Sequence, residues 1–250
     1  MELRAVRRDR AARTGVELFL YERAFEDCLE RIALQQRRFD RALLIGCPAA
    51  TWPERLKAIA AAVDMRDPGP IFARKARGTC IREDAWHPAE AAYDLVISIG
   101  TLDTVNDLRL ALRLIRYTMK GNGLFIGALS GGDTLPQLRS AMRAADMCSG
   151  MAAPHVHPRI DGAALSPLLV DAGFADPVVD VDRVTVSYPS LLRLVGDLRR
   201  MAATNILSKR PRFIGRDAFD AAAELFVAAG DSGRTPEMFE ILHFAAWASE

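Results

Sequence analysis

The sequence predicts an α/β fold on a mostly parallel sheet, and three observations carry that prediction. Residues 42–47 form a short run, apolar on both faces, that hands over abruptly to a helix start. Such a run suits a central strand covered by helices on each side. Residues 93–99 are apolar and β-branched and end at Gly100, and residues 107–118 then place Leu108, Ala111, Leu112 and Ile115 on one helical face. After Gly121-Asn122-Gly123, residues 124–129 read as a further strand. Strand, helix and strand in alternation mark parallel βαβ units.

Composition narrows the function classes. Half of the 250 residues are hydrophobic and the formal net charge is +1, which allows one large core with a helical appendage and argues against a dedicated nucleic-acid binder. No apolar run approaches the ~20 residues of a membrane helix. Small molecules and proteins are the expected partners. Cys28, Cys47, Cys80 and Cys148 lie far apart with no Cys-x-x-Cys pair, so neither a disulfide framework nor a metal site is expected, and a reducing cytoplasm fits. The arginine-rich start (Arg4, Arg7, Arg8, Arg10, Arg13) has the flavour of a transit peptide, but Glu2 and Asp9 interrupt it and it reads as mature protein.

Taken in order, residues 1–38 read as helical and amphipathic, with Val16, Phe19, Leu20, Phe25, Leu29, Ile32 and Leu34 near a period of 3.6 and the arginines mostly facing away. That face is either a solvated cap or a docking surface for an acidic partner. After the first strand, Thr51 and Glu54 have the spacing of a capping box, with Pro53 in the first turn of a helix reaching about Ala61. A buried strand, a tight turn and a helix start resemble the opening of a nucleotide-binding unit. Gly46 is the only glycine of that turn; Pro48, Ala49 and Ala50 stand where flexible residues would let the backbone close on a ligand. Residues 62–65 read as a second strand ending in Asp64, placed either to accept from ribose hydroxyls or to open the turn Arg66-Asp67-Pro68-Gly69. Residues 79–82 form a weak third strand. Glu83 and Asp84 follow it, as acceptors for a base amino group or as a solvated loop.

Further on, Asp133 reads as an N-cap or as a carboxylate aimed at substrate, and Arg139 as a substrate contact, an ion-pair member or a surface residue. His155 and His157, flanked by Pro154 and Pro158, suit an extended loop in which a histidine contacts substrate better than a metal site with Cys148. Residues 163–172 are helical before Gly173, residues 177–188 alternate as a strand buried on one face, residues 190–206 and 217–229 are amphipathic helices, and residues 238–244 form the final strand.

Tyr93-Asp94-Leu95-Val96-Ile97-Ser98, Val105-Asn106-Asp107-Leu108 and Lys120-Gly121-Asn122-Gly123-Leu124-Phe125 resemble the fourth and fifth strands of class I S-adenosylmethionine-dependent methyltransferases. Gly131-Gly132-Asp133-Thr134-Leu135, Pro154-x-x-x-Pro158, Ala172-Gly173-Phe174, Asp197-Leu198-Arg199-x-Met201 and Thr204-Asn205 resemble the methyltransferase-like assembly factor of mitochondrial respiratory complex I and its bacterial relatives. This similarity runs over nearly the whole chain. A weaker one extends to the malonyl-carrier-protein methyltransferases.

The resemblance implies a Rossmann-like, seven-stranded, mostly parallel sheet whose last strand runs antiparallel between the fifth and sixth. Residues 1–40 would form an N-terminal helical segment, 41–188 the core, 189–236 a helical cover and 237–250 the strand completing the sheet. It implies S-adenosylmethionine as cofactor, with Gly46 and Cys47 in the cofactor turn, Asp64 at the ribose, Glu83 or Asp84 near adenine, and Ser98, Gly100 and Leu102 beside the methionine moiety. Candidate catalytic residues are Asp103, Asp133, Arg139, His155 and Tyr188, with Arg199 and Asn205 near the cleft. The chain departs from the family where Asp-Leu-Gly-Cys-Gly is replaced by Leu44-Ile45-Gly46-Cys47-Pro48, and where Asp103-Thr104 replaces His-Trp. The implied function is methyl transfer to, or another modification of, a protein partner in respiratory complex assembly; the alternative is a non-catalytic assembly or interaction protein that keeps the fold. Arginine hydroxylation follows the mitochondrial relative, but no triad of two histidines and a carboxylate with helical or hairpin spacing supports it here.

Overall fold

The apolar run at the centre of the sequence becomes strand β1 (Phe39–Ile45), whose Ala42, Leu43, Leu44 and Ile45 are fully buried. Around it a computed structural model, describing residues 3–209 and 213–249, builds a seven-stranded sheet in the order β3-β2-β1-β4-β5-β7-β6. The strands are β2 (Ala60–Asp67), β3 (Thr79–Cys80), β4 (Tyr93–Ile99), β5 (Met119–Ser130), β6 (Phe174–Tyr188) and β7 (Thr235–Ala248). β1 to β5 pair in parallel, whereas β7 runs antiparallel to both β5 and β6, between which it lies. This is the expected class I methyltransferase sheet.

Helices cover both faces. On one, α2 (Phe19–Ala33) packs Phe25, Cys28 and Ile32 with Leu44, Ile97 and Trp52, and the Phe25 and Trp52 rings stack at 4.3 Å. On the other, α5 (Leu108–Tyr117) and α7 (Gly162–Asp171) bury Leu112, Ile115, Leu165 and Leu169 against Phe125 and Phe244. A third cluster joins α6 (Pro136–Ser149), α8 (Leu191–Arg200) and α9 (Arg216–Ala228) through Leu138, Met142, Leu194 and Phe226 above the carboxyl edge. No helix among the described residues is long and apolar enough to cross a membrane.

Three local expectations need correction. Thr51 has helical backbone angles and makes no side-chain cap, and Glu54 turns instead to Lys57 Nζ at 2.7 and 2.9 Å. The helix, α3 (Trp52–Leu56), is barely more than a turn, because Ala60, Ala62 and Val63 are drawn into the ladder with Phe39, Arg41 and Ala42 of β1. Pairing beside a buried strand outweighs the helix preference of alanine. The N-terminal segment forms two helices, α1 (Leu3–Thr14) and α2, separated by residues 15–18, with Gly15 at φ +94°. Within α1 the arginines do not all face away, since Arg4 and Arg8 are each only 4% exposed.

Candidate functional site

Gly46 ends β1 at φ +84° and its amide donates to Arg66 O at 2.9 Å, carrying the β1/β2 ladder one step past Ile45. No side chain fits here: an added Cβ would lie 2.3 Å from Ile99 O. Positive φ and close backbone approach are the two conditions that call for glycine. The next amide, Cys47 N, points at the end of β2 and donates to Asp67 Oδ2 at 2.9 Å. Burial first, and the Asp67 charge second, push the Cys47 thiol up to about 12, so it is no ready nucleophile.

The acid at the carboxyl end of β2 is therefore Asp67, not Asp64. Because β2 runs to Asp67, Asp64 falls mid-strand opposite Leu43, where it accepts from Arg41 Nε at 2.9 Å and Tyr93 Oη at 2.8 Å. Asp67 is 1% exposed and accepts four bonds: Arg8 Nε at 2.8 Å and Gly69 N at 2.7 Å on Oδ1, Arg8 Nη2 at 2.6 Å and Cys47 N at 2.9 Å on Oδ2. A carboxylate offers about four lone-pair sites, so Asp67 is saturated. Burial works against the Arg8 charge, but the charge and bonds of Asp67 outweigh it and hold the guanidinium above its usual range.

Glu83, after β3, is fully buried and gripped by Arg4, Nη1 on Oε2 at 2.6 Å and Nη2 on Oε1 at 2.8 Å. Arg4 also donates to Thr101 O and to Thr104 Oγ1. Asp84 turns elsewhere, accepting from Asp107 N at 3.3 Å. Both inward arginines come from α1, one helical turn apart on the same face. Sequence reading missed Asp67, Arg4 and Arg8. The available signal was that Asp67, like Asp64, follows Gly46 by about twenty residues.

Ser98 is buried in β4 and Leu102 packs into the α5/α7 core. Gly100, at φ +61°, is covered by the Tyr21 ring, whose Cε1 would lie 2.3 Å from an added Cβ. Beneath Tyr21 remains a cavity of about 70 Å³ bordered by Gly100, Asp103, Ser130 and Arg159, against the roughly 300 Å³ at which small-molecule pockets begin. In this conformation the donors and acceptors match an adenosine-type cofactor in kind, but they are already bonded and the space beside Gly100 is reduced to that cavity, so S-adenosylmethionine does not fit there; a groove of about 560 Å³ runs outside it along Arg4, Leu102, Thr104 and His157.

The candidate catalytic residues do not converge. Asp103 is paired with buried Arg159. Asp133 is exposed and does not cap α6, whose Gln137 and Leu138 amides instead bond Glu237 at 3.2 and 2.8 Å. Arg139 folds back onto Thr134 O and Gly132 O, and burial, with Arg159 second, lowers its pKa. His155 Nε2 meets Asp146 Oδ1 at 2.7 Å. Tyr188 is buried in the cover, where burial first and Asp197 next lift its phenol. Arg199, His155 and Asn205 border an adjoining groove of about 770 Å³ lined also by Leu138, Met142 and Leu192. Among the described residues no three His, Cys, Asp or Glu side chains are grouped to hold a metal ion.

Comparison with known proteins gives this arrangement a family. No family model matches the chain. It is 32% identical over 240 residues to the arginine-hydroxylase NDUFAF5 of Danio rerio, covering 92% of this chain and 75% of that protein. The mammalian proteins of the same name align over 47% of their length, so the chain spans about half of them. A malonyl-[acyl-carrier protein] O-methyltransferase of Xylella fastidiosa is 31% identical over 212 residues, 79% of this chain and 67% of that one. In fold the chain is similar to the YcgJ protein of Bacillus subtilis, with TM-score 0.61 at 11% identity over 88% of this chain and 97% of that one. The sheet order, the identity and its extent together establish that the chain belongs to the NDUFAF5 family of methyltransferase-fold proteins.

Proposed function

We propose that this chain works on a protein partner in the cytoplasm, as an assembly factor of the methyltransferase fold in respiratory complex assembly, and that the free chain does so with its cofactor cleft closed. The observation that supports this most directly is the saturation of Asp67, whose four acceptor positions are taken by Arg8, Cys47 N and Gly69 N. A second reading, S-adenosylmethionine-dependent modification of that partner, is favoured by the presence of Gly46, Asp67 and Glu83 at the carboxyl edge of the sheet, where ligands of open α/β folds gather.

Calorimetric titration of the purified chain with S-adenosylmethionine and S-adenosylhomocysteine separates the two. The closed-cleft reading expects no saturable binding below millimolar ligand, together with specific co-purification of a protein partner. Micromolar binding by the unmodified chain would overturn it in favour of the second reading.

A further inference from the structure

We propose that helix α1 is a removable intramolecular plug, in which Arg8 and Arg4 hold the two cleft carboxylates against a nucleoside ligand. The proposal rests on the closed-cleft reading and says how the closure is regulated. Both arginines make two-point bonds, Arg8 to Asp67 at the carboxyl end of β2 and Arg4 to Glu83 past that of β3. The cleft is shaped to receive them, since Gly69 has no Cβ where one would lie 2.7 Å from the Arg8 Cβ. A nucleoside and α1 would compete for the same carboxylates, because a ribose diol and an exocyclic amine present the same kind of donors as the two guanidinium groups.

The attachment of α1 is mainly polar. Its apolar contact is a satellite cluster of Ala11 and Ala12 against Ile71 and Phe72, separate from the three main cores. It also lies against α8, the Arg8 guanidinium sits over the Phe72 ring at 5.1 Å, and further ties are polar: Arg4 donates to Thr101 O and Thr104 Oγ1, Asp9 Oδ1 accepts from Ile71 N at 2.9 Å, and Lys75 Nζ donates to Ala12 O at 2.9 Å. Buried ion pairs add little net stability, because desolvation offsets most of their attraction. A segment with few apolar contacts belongs to the part of a fold that opens first. Gly15 supplies the pivot, at φ +94° with no heavy atom within 4 Å of a would-be Cβ. Beyond it α2 is anchored by Phe25, Cys28 and Ile32, so α1 can swing out without disturbing the sheet.

The test uses the full chain with adenosine as probe, because Tyr21 belongs to α2 and still covers Gly100 when α1 leaves. Arg4→Ala/Arg8→Ala removes the bonds to the acids. Ala11→Glu puts a charge into the satellite cluster and leaves both arginines in place. The unmodified chain binds the probe at millimolar concentration or weaker, and both variants bind at least tenfold tighter, since apparent affinity scales with the open fraction. Hydrogen exchange of the unmodified chain at saturating probe is expected to show lost protection in α1 and retained protection in α2. Folded variants, checked by circular dichroism, that bind no better than the unmodified chain would overturn the plug while leaving the closed cleft standing. Should the double variant fail to fold, Ala11→Glu and the exchange experiment decide: unchanged affinity and unchanged α1 protection reject the plug. Micromolar binding by the unmodified chain would instead overturn the closed-cleft reading itself.

Discussion

Glu237 does for α6 what no neighbouring residue can. Leu135 enters the helix at φ +61° and Pro136 follows it, so the turn supplies no side-chain cap, and the free amides of Gln137 and Leu138 take the Glu237 carboxylate from β7. Burial raises the pKa of Glu237 even though three backbone amides bond the charged form. Glu237→Ala leaves those amides buried without a partner and is expected to cost about 2 kcal/mol, read as a lower urea midpoint at unchanged m-value. Asp133, next to the helix in sequence, was the natural cap to expect, and the true cap lies some hundred residues away, where no local pattern reveals it. His243 gives a second residue-scale prediction. Burial lowers its pKa, with Asp27 and Asp182 pulling upward and Arg31 and Arg23 downward. The folded state then binds this proton less readily than the unfolded chain. Stability from this site is complete above the unfolded value of about 6.5 and is lost as pH falls from there toward the folded value. His243→Gln should flatten that part of a stability-against-pH curve measured by thermal melts.

At the scale of elements, those that hold themselves in place by their own pattern were legible and those held by distant partners were not. β4, α5 and β5 follow from apolar runs and a single helical face, because each buries mainly its own hydrophobic side chains. α1 was misread because arginines four residues apart look like a solvated face; only the fold brings Asp67 and Glu83 under them. The end of β2 was misread for the same reason. Its apolar stretch stops at Met65, yet the strand continues to a buried Asp67 because Arg8 neutralises the charge there. Gly69→Ala tests this coupling of elements. The new methyl would lie 2.7 Å from the Arg8 Cβ and 3.1 Å from Asp67 Oδ1, so α1 cannot seat as it does now. Amide exchange in α1 is expected to quicken roughly tenfold, about 1.4 kcal/mol, with β1 and β4 unchanged.

Across the whole molecule, the sheet is completed by its last strand. β7 joins β6 to β5, and its Phe244 ring packs on Phe125 at 4.8 Å. Phe244→Ala is expected to cost about 3–5 kcal/mol, a large share of an ordinary domain's stability, measurable by chemical denaturation. The closed cleft also has a molecule-wide signature. A cofactor bound at a hundred times its dissociation constant would stabilise the fold by about 2.7 kcal/mol, whereas the melting temperature of the unmodified chain should stay within about a degree at 100 μM S-adenosylmethionine. Overall architecture was readable from sequence because the βαβ alternation and the late motifs are local strings. The state of the cleft was not, since it depends on which of two carboxylates three residues apart meets which of five arginines near the start of the chain. The same closure turns the four cysteines into a clock. Cys80 and Cys148 are exposed, while Cys47 lies at the mouth of the cleft, buried and with its thiol turned to Ala49 O. Alkylation with iodoacetamide should therefore run in a fast phase at the two surface thiols and a slow one at the buried Cys28 and Cys47, and the rate read at Cys47 by peptide mass mapping would report, in real time and without any ligand, how often the cleft opens.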